Sequence, residues 1–240
     1  LYANITVGTY HAICLRILRE QGRDFQVLSS EASKHFRFKM ILKKLGLADD
    51  YTPEAVINII SKWKNRMLRP IDIKTQAQNV KNVSEKTEMF TLHKVYELYE
   101  QDKEARNELD FDDFLLEVYY LLLYDDEARA MYQERFRYVL CDEFQDVSTV
   151  QYELTRLLAA PHDNLCIVGD DNQTIYTWRA ASSSFMLDFD KRYPDAKQIK
   201  LETNYRSTAD IVGFGNAIIA KNKKQIKKLY DVFGDVYIIG

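Results

Sequence analysis

The sequence has 240 residues, of which 46% are hydrophobic and 12% are aromatic, so it can bury a sizeable apolar core. This composition excludes a disordered or low-complexity chain. The formal net charge is -3, which gives no overall basic character, so any contact with a polyanion must come from local patches.

The first predicted elements are a strand at residues 5–7 and a helix that begins after Thr9. Thr9 is a favourable N-cap, and apolar residues follow it at helical spacing. A hydroxyl group, the imidazole of His11 and free backbone amides at a helix start together suit a phosphate, although a single histidine is more often structural. Because the chain has no initial Met and opens on a strand, we expect a piece of a longer protein.

A mostly helical region is predicted from about residue 21 to 108. Within it, Thr52 and the proline after it begin a helix with an apolar stripe, and Pro70 is expected to end this helix. Residues 70–87 are polar and weakly patterned, which predicts a loop. A long helix with one apolar face then covers about residues 88–107. We therefore expect an all-helical insertion between strands of an α/β domain.

A basic cluster lies around the end of the helix that precedes Pro70. Its members are Lys62, Lys64, Arg66 and Arg69. The acidic residue near them in the sequence is Asp72. Such a cluster can bind the backbone of duplex DNA, with salt dependence as the signature. Charged faces of helices are more often only solvated, so both interpretations stay open.

Three successive apolar runs each end in polar residues. The first, at residues 138–141, ends in Asp142 and Glu143, and its pattern is typical of a strand buried on both faces of a parallel sheet. The runs at 165–168 and 199–201 are followed by GDDNQ and ETNYRS. Ligands of open α/β sheets bind at the carboxyl ends of the strands, so we expect these polar residues to converge. An acidic pair alone is more often a solvated turn.

Five sequence blocks, in this order, resemble the helicase motifs of the UvrD/Rep-type superfamily 1 DNA helicases. They are TYHAICLRILR, LDFDDF, DEFQD, VGDDNQTIYTWRAA and LETNYRS. The resemblance implies an α/β fold, a RecA-like parallel sheet with helices of the P-loop NTPase type that carries an all-helical inserted subdomain. Residues 1–20 and 109–206 would form the first RecA-like domain, residues 21–108 the inserted subdomain, and residues 207–240 the start of a second RecA-like domain.

The resemblance also implies an ATP-dependent DNA helicase with ATP and Mg²⁺ as cofactors. Adjacent carboxylates can divide the work of phosphoryl transfer, with Asp142 holding the metal ion and Glu143 acting as the base for the attacking water. By resemblance, Gln173 senses the γ-phosphate, Arg206 supplies positive charge to the transferring phosphoryl group, and Tyr205 stacks on adenine. The alternatives are a solvated Gln173, a tyrosine covering a helix start and a surface salt bridge.

Single-stranded DNA and a duplex junction are the implied partners. Tyr176 and Trp178 alternate on an extended segment, so they point to the same side and can offer a platform for stacked bases. Composition alone favours core packing for this pair, whereas the resemblance places it against DNA. The resemblance also puts Thr9, His11 and Phe111 near the DNA path. Core packing for Phe111, and helix capping for the two aspartates after it, are equally open.

The sequence departs from the family pattern in one major respect. It contains no G-x-x-x-x-G-K-[ST], because none of its eight glycines is followed by Lys. Without that loop nothing cradles the β and γ phosphates, so this chain alone is predicted not to hydrolyse ATP at a useful rate. Asn172, Ala180 and Thr203 are milder departures. A non-catalytic nucleic-acid-binding module and a helicase-nuclease remain alternatives.

The three cysteines lie in apolar segments without CxxC spacing, and they are Cys14, Cys141 and Cys166. This pattern predicts buried free thiols in a reducing compartment rather than disulfides or a zinc site. The most apolar segment, residues 114–124, is shorter than the roughly 20 residues that cross a bilayer. The start of the chain has no secretory signal pattern. We therefore expect a cytoplasmic protein without a membrane partner.

Overall fold

The computed structural model describes the following residues: 5–170, 173, 184–201, 204, 207–219, 221 and 234–238. The chain divides into two compact units, Leu1–Leu121 and Leu122–Gly240. The described residues are mostly helical, with small sheets. None of the described helices is long and apolar enough to cross a membrane.

The first unit is built largely of helices. Its elements are α1 (Tyr10–Glu20), β1 (Gln26–Val27), α2 (Glu31–Lys44), α3 (Pro53–Asn65), α4 (Pro70–Asn79), α5 (Val83–Ala105), β2 (Glu108–Leu109) and most of α6 (Phe111–Tyr124). The two short strands pair in parallel. Helices α2, α3 and α5 bury a common core, whose fully buried members include Phe38, Val56, Val95 and Tyr99.

Short polar side chains fix where the helices of the first unit begin. The Oγ of Ser30 accepts from the Ser33 amide at 3.2 Å, and the Oδ1 of Asn82 accepts from the Glu85 amide at 3.1 Å. Each bond satisfies an amide that has no partner within its own helix. The predicted cap at Thr52 is also confirmed, since its hydroxyl oxygen accepts from the Ala55 amide at 3.3 Å.

Two of the predicted elements are wrong. Residues 5–9 have no regular secondary structure, and Ile5 and Val7 are 65% and 80% exposed rather than buried in a strand. The loop predicted at residues 70–87 is largely replaced by α4, in which proline occupies the first turn and the Asp72 carboxylate accepts from the Arg69 amide at 2.8 Å. Proline is tolerated there because its missing N–H has no helical partner anyway.

A buried ionic network links three helices of the first unit. Lys64 of α3 and Lys103 of α5 are 1% and 2% exposed, and they face two aspartates at the start of α6. The Nζ of Lys64 lies 3.1 Å from Asp110 and 2.6 Å from Asp113, and Lys103 also contacts both carboxylates. Glu100 contacts both lysines from the rim. We call these five residues the buried ionic network.

The network settles two questions left open by the sequence. Asp110 is the N-cap of α6, because its Oδ1 accepts from the Asp113 amide at 3.1 Å, and the Asp113 Oδ2 accepts in return from the Asp110 amide at 2.7 Å. This reciprocal arrangement is a capping box. For Lys64, one member of the basic cluster, neither open interpretation holds, because its ammonium group is neither solvated nor available to DNA but buried against these two carboxylates.

Opposite charges decide the protonation of Asp110 and Lys64, whereas burial raises the pKa of Asp113 to about 6. Burial alone would raise the pKa of Asp110, but attraction to Lys64, Lys103 and Lys34 holds that pKa well below its usual range. Burial would lower the pKa of Lys64, but Asp110, Asp113 and Glu100 raise it well above its usual range. Both groups are therefore charged at neutral pH.

The described residues of the second unit include a four-stranded sheet. Its elements are the end of α6, α7 (Asp126–Arg135), β3 (Val139–Cys141), a 3₁₀ turn (Phe144–Asp146), α8 (Thr149–Ala159), β4 (Leu165–Gly169), α9 (Ser184–Leu187), α10 (Phe189–Arg192), β5 (Lys197–Leu201), α11 (Ala209–Ile219) and β6 (Gly234–Ile238). The strand order is β3-β4-β6-β5.

The sheet is mixed rather than wholly parallel. The predicted parallel pairing of the first two strands is confirmed, with Cys141 opposite Ile167. Strand β6 lies antiparallel between β4 and β5, so β4 and β5 point the same way without being neighbours. The carboxyl ends of β3, β4 and β5 therefore share one edge of the sheet. The expectation of a parallel sheet is corrected to a mixed sheet with one parallel pair.

Strand β3 is buried on one face only, which corrects the expectation of burial on both. Tyr138 and Leu140 are 74% and 75% exposed, whereas Cys141 is buried. Side chains alternate between the two faces of a strand, and the face of Cys141 is the one that meets α8, where the Cys141 Sγ lies 3.8 Å from the Thr155 hydroxyl. Among the strands that the structure describes, β3 lies at one edge of the sheet.

The cysteines provide a test of the packing in both units. Burial raises the pKa of Cys14 to about 12, and burial also raises the pKa of the partly exposed Cys166. Because the thiolate is the reactive form, we expect Cys14 and Cys141 not to react with a thiol reagent at pH 8 in the folded chain and Cys166 to react slowly. All three should react in denaturant. Rapid labelling of Cys14 in the folded chain would contradict this packing.

Candidate functional site

Two acidic side chains leave the sheet edge where β3 ends. Asp142 and Glu143 follow Cys141 directly, and both are exposed. The Asp142 Oδ1 accepts from the Glu143 amide at 2.9 Å, which fixes the first carboxylate against the backbone of the second. Because β3 and β4 are parallel neighbours, the segment after Gly169 leaves the same edge. The sequence prediction that these polar segments share one edge is confirmed for the first two strands.

Glu143 has an unusual backbone conformation. Its φ is 52° and its ψ is 40°, in the left-handed region that residues other than glycine seldom adopt. Such a conformation costs on the order of 1–3 kcal/mol, so the surrounding structure must hold it. The 3₁₀ turn that follows supplies this support, because the Phe144 ring is fully buried and makes edge contacts with the rings of Tyr152 and Phe189.

Gln145 connects the acidic segment to the end of β4. Its side chain is 1% exposed. The Nε2 donates to the Glu143 Oε2 at 2.7 Å, and the Oε1 accepts from the Asp170 amide at 3.0 Å. The sequence pattern predicts no role for Gln145. The only signal was its place inside the DEFQD block, because the bond to Asp170 spans 25 residues of chain.

Gly169 makes this close approach possible. A Cβ atom at this position would lie 2.5 Å from the Gln145 Oε1 and 3.1 Å from the Phe144 amide nitrogen. The first distance is shorter than Cβ atoms show and the second is tight, so a larger residue would force the turn to shift. The glycine at the end of an apolar strand was visible in the sequence, but the side chain that needs the space was not.

Gln173 is held at the same edge through Asp170. The Gln173 Nε2 donates to the Asp170 Oδ2 at 2.9 Å, and its backbone amide donates to the Asp170 carbonyl at 2.9 Å. Gln173 is exposed, whereas Asp170 is 8% exposed. Hydrogen bonds of 2.7, 3.0 and 2.9 Å therefore run from Glu143 through Gln145 and Asp170 to Gln173.

Several predicted site residues lie outside the residues that the structure describes. They are Tyr176, Trp178, Tyr205 and Arg206, as well as the departures Asn172, Ala180 and Thr203. The structure therefore describes three of the expected nucleotide-site residues, Asp142, Glu143 and Gln173.

The remaining predicted residues lie in the first unit. The Thr9 Oγ1 accepts from the Ala12 amide at 3.3 Å and so caps α1. The His11 ring meets the Phe111 ring edge to face, with 6.3 Å between centroids, and Phe111 is 44% exposed. Phe111 also contacts the buried ring of Phe114 at 5.8 Å. The side chain of Phe111 thus has one packed side and one side open to solvent.

Magnesium commonly uses few protein ligands. In the described part of the chain, no group of three or more His, Cys, Asp and Glu side chains could hold a metal ion. Mg²⁺ is usually bound by one or two carboxylates together with waters and substrate phosphates. An exposed carboxylate at a strand end, such as Asp142, fits that kind of binding and does not require a protein cage.

Comparison with known proteins gives consistent matches over this region. The family model described as UvrD/REP helicase N-terminal domain matches residues 2–194. The chain is 34% identical over 232 residues to the ATP-dependent DNA helicase PcrA of Leuconostoc citreum, which covers 94% of this chain and 30% of that protein. It is 35% identical over 236 residues to the putative ATP-dependent DNA helicase YjcD of Bacillus subtilis, covering 96% of this chain and 30% of that protein.

A third relative agrees with these two. The probable DNA helicase II homolog of Rickettsia conorii is 35% identical over 233 residues, covering 92% of this chain and 34% of that protein. The chain therefore spans about a third of the length of the curated relatives it matches.

Proposed function

Because this chain belongs to the UvrD/REP helicase family, we propose that it carries the carboxylate part of an ATP-hydrolysis site in an ATP-dependent DNA helicase or translocase. One observation carries the proposal. Two adjacent exposed carboxylates, Asp142 and Glu143, lie at the end of β3 and are joined by hydrogen bonds to the segment that holds Gln173. The relatives named above are ATP-dependent or probable DNA helicases, which supports this reading of the site.

The two carboxylates have different tasks in this proposal. Asp142 binds Mg²⁺, whose charge, when it is bound with ATP, offsets the negative charge that develops on the transferring phosphoryl group. Glu143 orients the attacking water and accepts its proton. The left-handed backbone at Glu143 supports a separate task for this residue, because strained backbone conformations cluster at functional sites.

Three further residues complete the proposed nucleotide site. Gln173 senses the γ-phosphate or the attacking water through its amide, and its attachment to Asp170 supports a fixed position at this edge. Arg206 supplies positive charge to the transferring phosphoryl group, and Tyr205 stacks on adenine. These two roles rest on the family pattern alone.

The proposed substrate is single-stranded DNA that continues into a duplex junction. Tyr176 and Trp178 stack on bases, and Thr9 and His11 bind a backbone phosphate at the start of α1. The Thr9 hydroxyl can donate to a phosphate while its oxygen caps the helix. The open side of Phe111 supports a contact with a base.

The domain limits expected at residues 20, 108 and 206 remain part of the proposal.

ATP hydrolysis provides the test. The complete natural protein is expected to hydrolyse ATP faster when single-stranded DNA is added and to separate a duplex with a single-stranded tail. The 240-residue chain alone is expected to show no hydrolysis above background, because it has no phosphate-binding glycine loop with a lysine. Phosphate release measures ATP hydrolysis by the complete protein and by the 240-residue chain. Strand displacement measures duplex separation by the complete protein. DNA binding without any ATP hydrolysis by the complete protein would instead favour the non-catalytic module.

A further inference from the structure

We propose that Gln145 is a positioning residue that orients the Glu143 carboxylate for reaction and ties it to the segment that carries Gln173. This inference rests on the proposed role of Glu143 as the base. Gln145 itself does not touch the reacting atoms in this proposal. It acts through Glu143 on one side and through the Asp170 backbone on the other.

The chemistry of the amide explains why the residue is glutamine. One end of the side chain must donate to a carboxylate and the other must accept from a backbone N–H, and a primary amide does both. An ionised glutamate can accept but cannot donate. Asparagine is one methylene shorter, so it cannot reach both partners from the same backbone position. Methionine has a similar shape but offers neither bond.

Burial makes these two hydrogen bonds effective. Because Gln145 is 1% exposed, water does not compete for its amide. Hydrogen bonds in such surroundings are stronger than in water, and one to a charged carboxylate is stronger again. Glu143 is exposed and has a strained backbone conformation. The hydrogen bond from the buried Gln145 amide therefore fixes the direction of its carboxylate.

The local packing is built around this bridge. The Gln145 Oε1 occupies the space where a side chain at position 169 would begin, because a Cβ added to Gly169 would lie only 2.5 Å from this oxygen. The Asp170 amide donates to the Gln145 Oε1, and the Asp170 Oδ2 accepts from the Gln173 Nε2. The proposed base and the proposed γ-phosphate sensor are therefore positioned by one set of hydrogen bonds, in which Gln145 is the member that reaches from one strand end to the other.

The test uses the complete natural protein and measures DNA-stimulated ATP hydrolysis as a function of pH. Gln145→Met, which keeps the volume and removes both bonds, is expected to lower kcat about 10- to 100-fold with KM for ATP changed less than about threefold, because a displaced base slows the chemical step. Its pH profile should keep its shape. A kcat within twofold of the unsubstituted protein would overturn the inference.

Gln145→Glu separates positioning from mere support of the fold. It keeps an acceptor for the Asp170 amide but places a second carboxylate beside Glu143. The segments after β3 and β4 already carry the acidic residues Asp142 and Asp170. A second carboxylate repels Glu143 instead of holding it, so kcat should fall at least as far as in Gln145→Met while KM for ATP changes less than about threefold. A kcat within twofold of the unsubstituted protein in a folded variant would overturn the inference. If this variant fails to fold, the kcat of Gln145→Met decides.

Two comparisons keep the outcomes distinct. Gln151→Glu adds the same charge on α8, where the Gln151 Oε1 accepts from the Ser148 amide and a glutamate oxygen can do so equally well. It is expected to keep both kcat and the pH profile. If the unsubstituted protein itself shows no ATP hydrolysis, the proposed function fails. If the protein is active and Glu143→Gln is inactive while Gln145→Met is fully active, only the positioning inference fails.

Discussion

Replacing Glu143 with glutamine in the complete natural protein is expected to lower DNA-stimulated ATP hydrolysis by about 10²- to 10⁴-fold, the usual contribution of a general base. The amide has the same shape as the carboxylate but cannot accept the proton of the attacking water. Nucleotide binding should change less than about threefold, because the proposed metal residue, Asp142, is untouched. Steady-state hydrolysis and equilibrium binding of a fluorescent nucleotide measure the two effects separately.

A matched control comes from the same unit. Glu153→Gln makes the same chemical change on the surface of α8, where Glu153 pairs with Arg156 at 2.8 Å. Surface pairs of this kind contribute little, so hydrolysis and thermal stability should both stay near the values of the unsubstituted protein. Hydrolysis that survives in Glu143→Gln would remove Glu143 from the role of base. Loss of nucleotide binding in the same variant would point to a role in binding instead.

The arrangement of the candidate site was only partly readable from the sequence. Apolar runs that end in polar residues correctly placed Asp142, Glu143 and Gln173 at strand ends, because the burial pattern and the ends of strands are local properties. The bridge through Gln145 was not readable, since its partner Asp170 is 25 residues away and the bond depends on how two strand ends pack. A periodic pattern carries no information about such a pairing.

Two features of the first unit were missed for related reasons. Helix α4 buries little apart from Ile73 and Ala77, so its apolar stripe is too narrow to stand out against a polar sequence. Lys64 looked solvated because its neighbours in sequence are basic and polar. Its aspartate partners lie 46 and 49 residues away, and only the packing of α3 against the start of α6 brings them together. Long-range ion pairs have no local signature.

The buried ionic network gives the second large expected effect. Lys64→Met is expected to lower the free energy of unfolding by about 3–5 kcal/mol, the usual cost of leaving buried charges without their partner. Asp110 and Asp113 would stay buried and keep Lys103 as their main cation. Urea unfolding followed by circular dichroism measures the change. Lys62→Met, on the same helix and partly exposed, should change stability by less than about 0.5 kcal/mol.

The pH dependence of this loss distinguishes an electrostatic cause from lost packing. The pKa of Asp110 in the folded chain lies below its ordinary value of 3.8, so its contribution to stability is present above pH 3.8 and is lost as the pH falls through the folded value. Lys64 is one of the cations that depress this pKa. The difference in stability between the original chain and Lys64→Met should therefore shrink as the pH falls from 5 toward 2. A difference that stays constant over this range would mean that Lys64 stabilises the fold by filling space rather than by its charge.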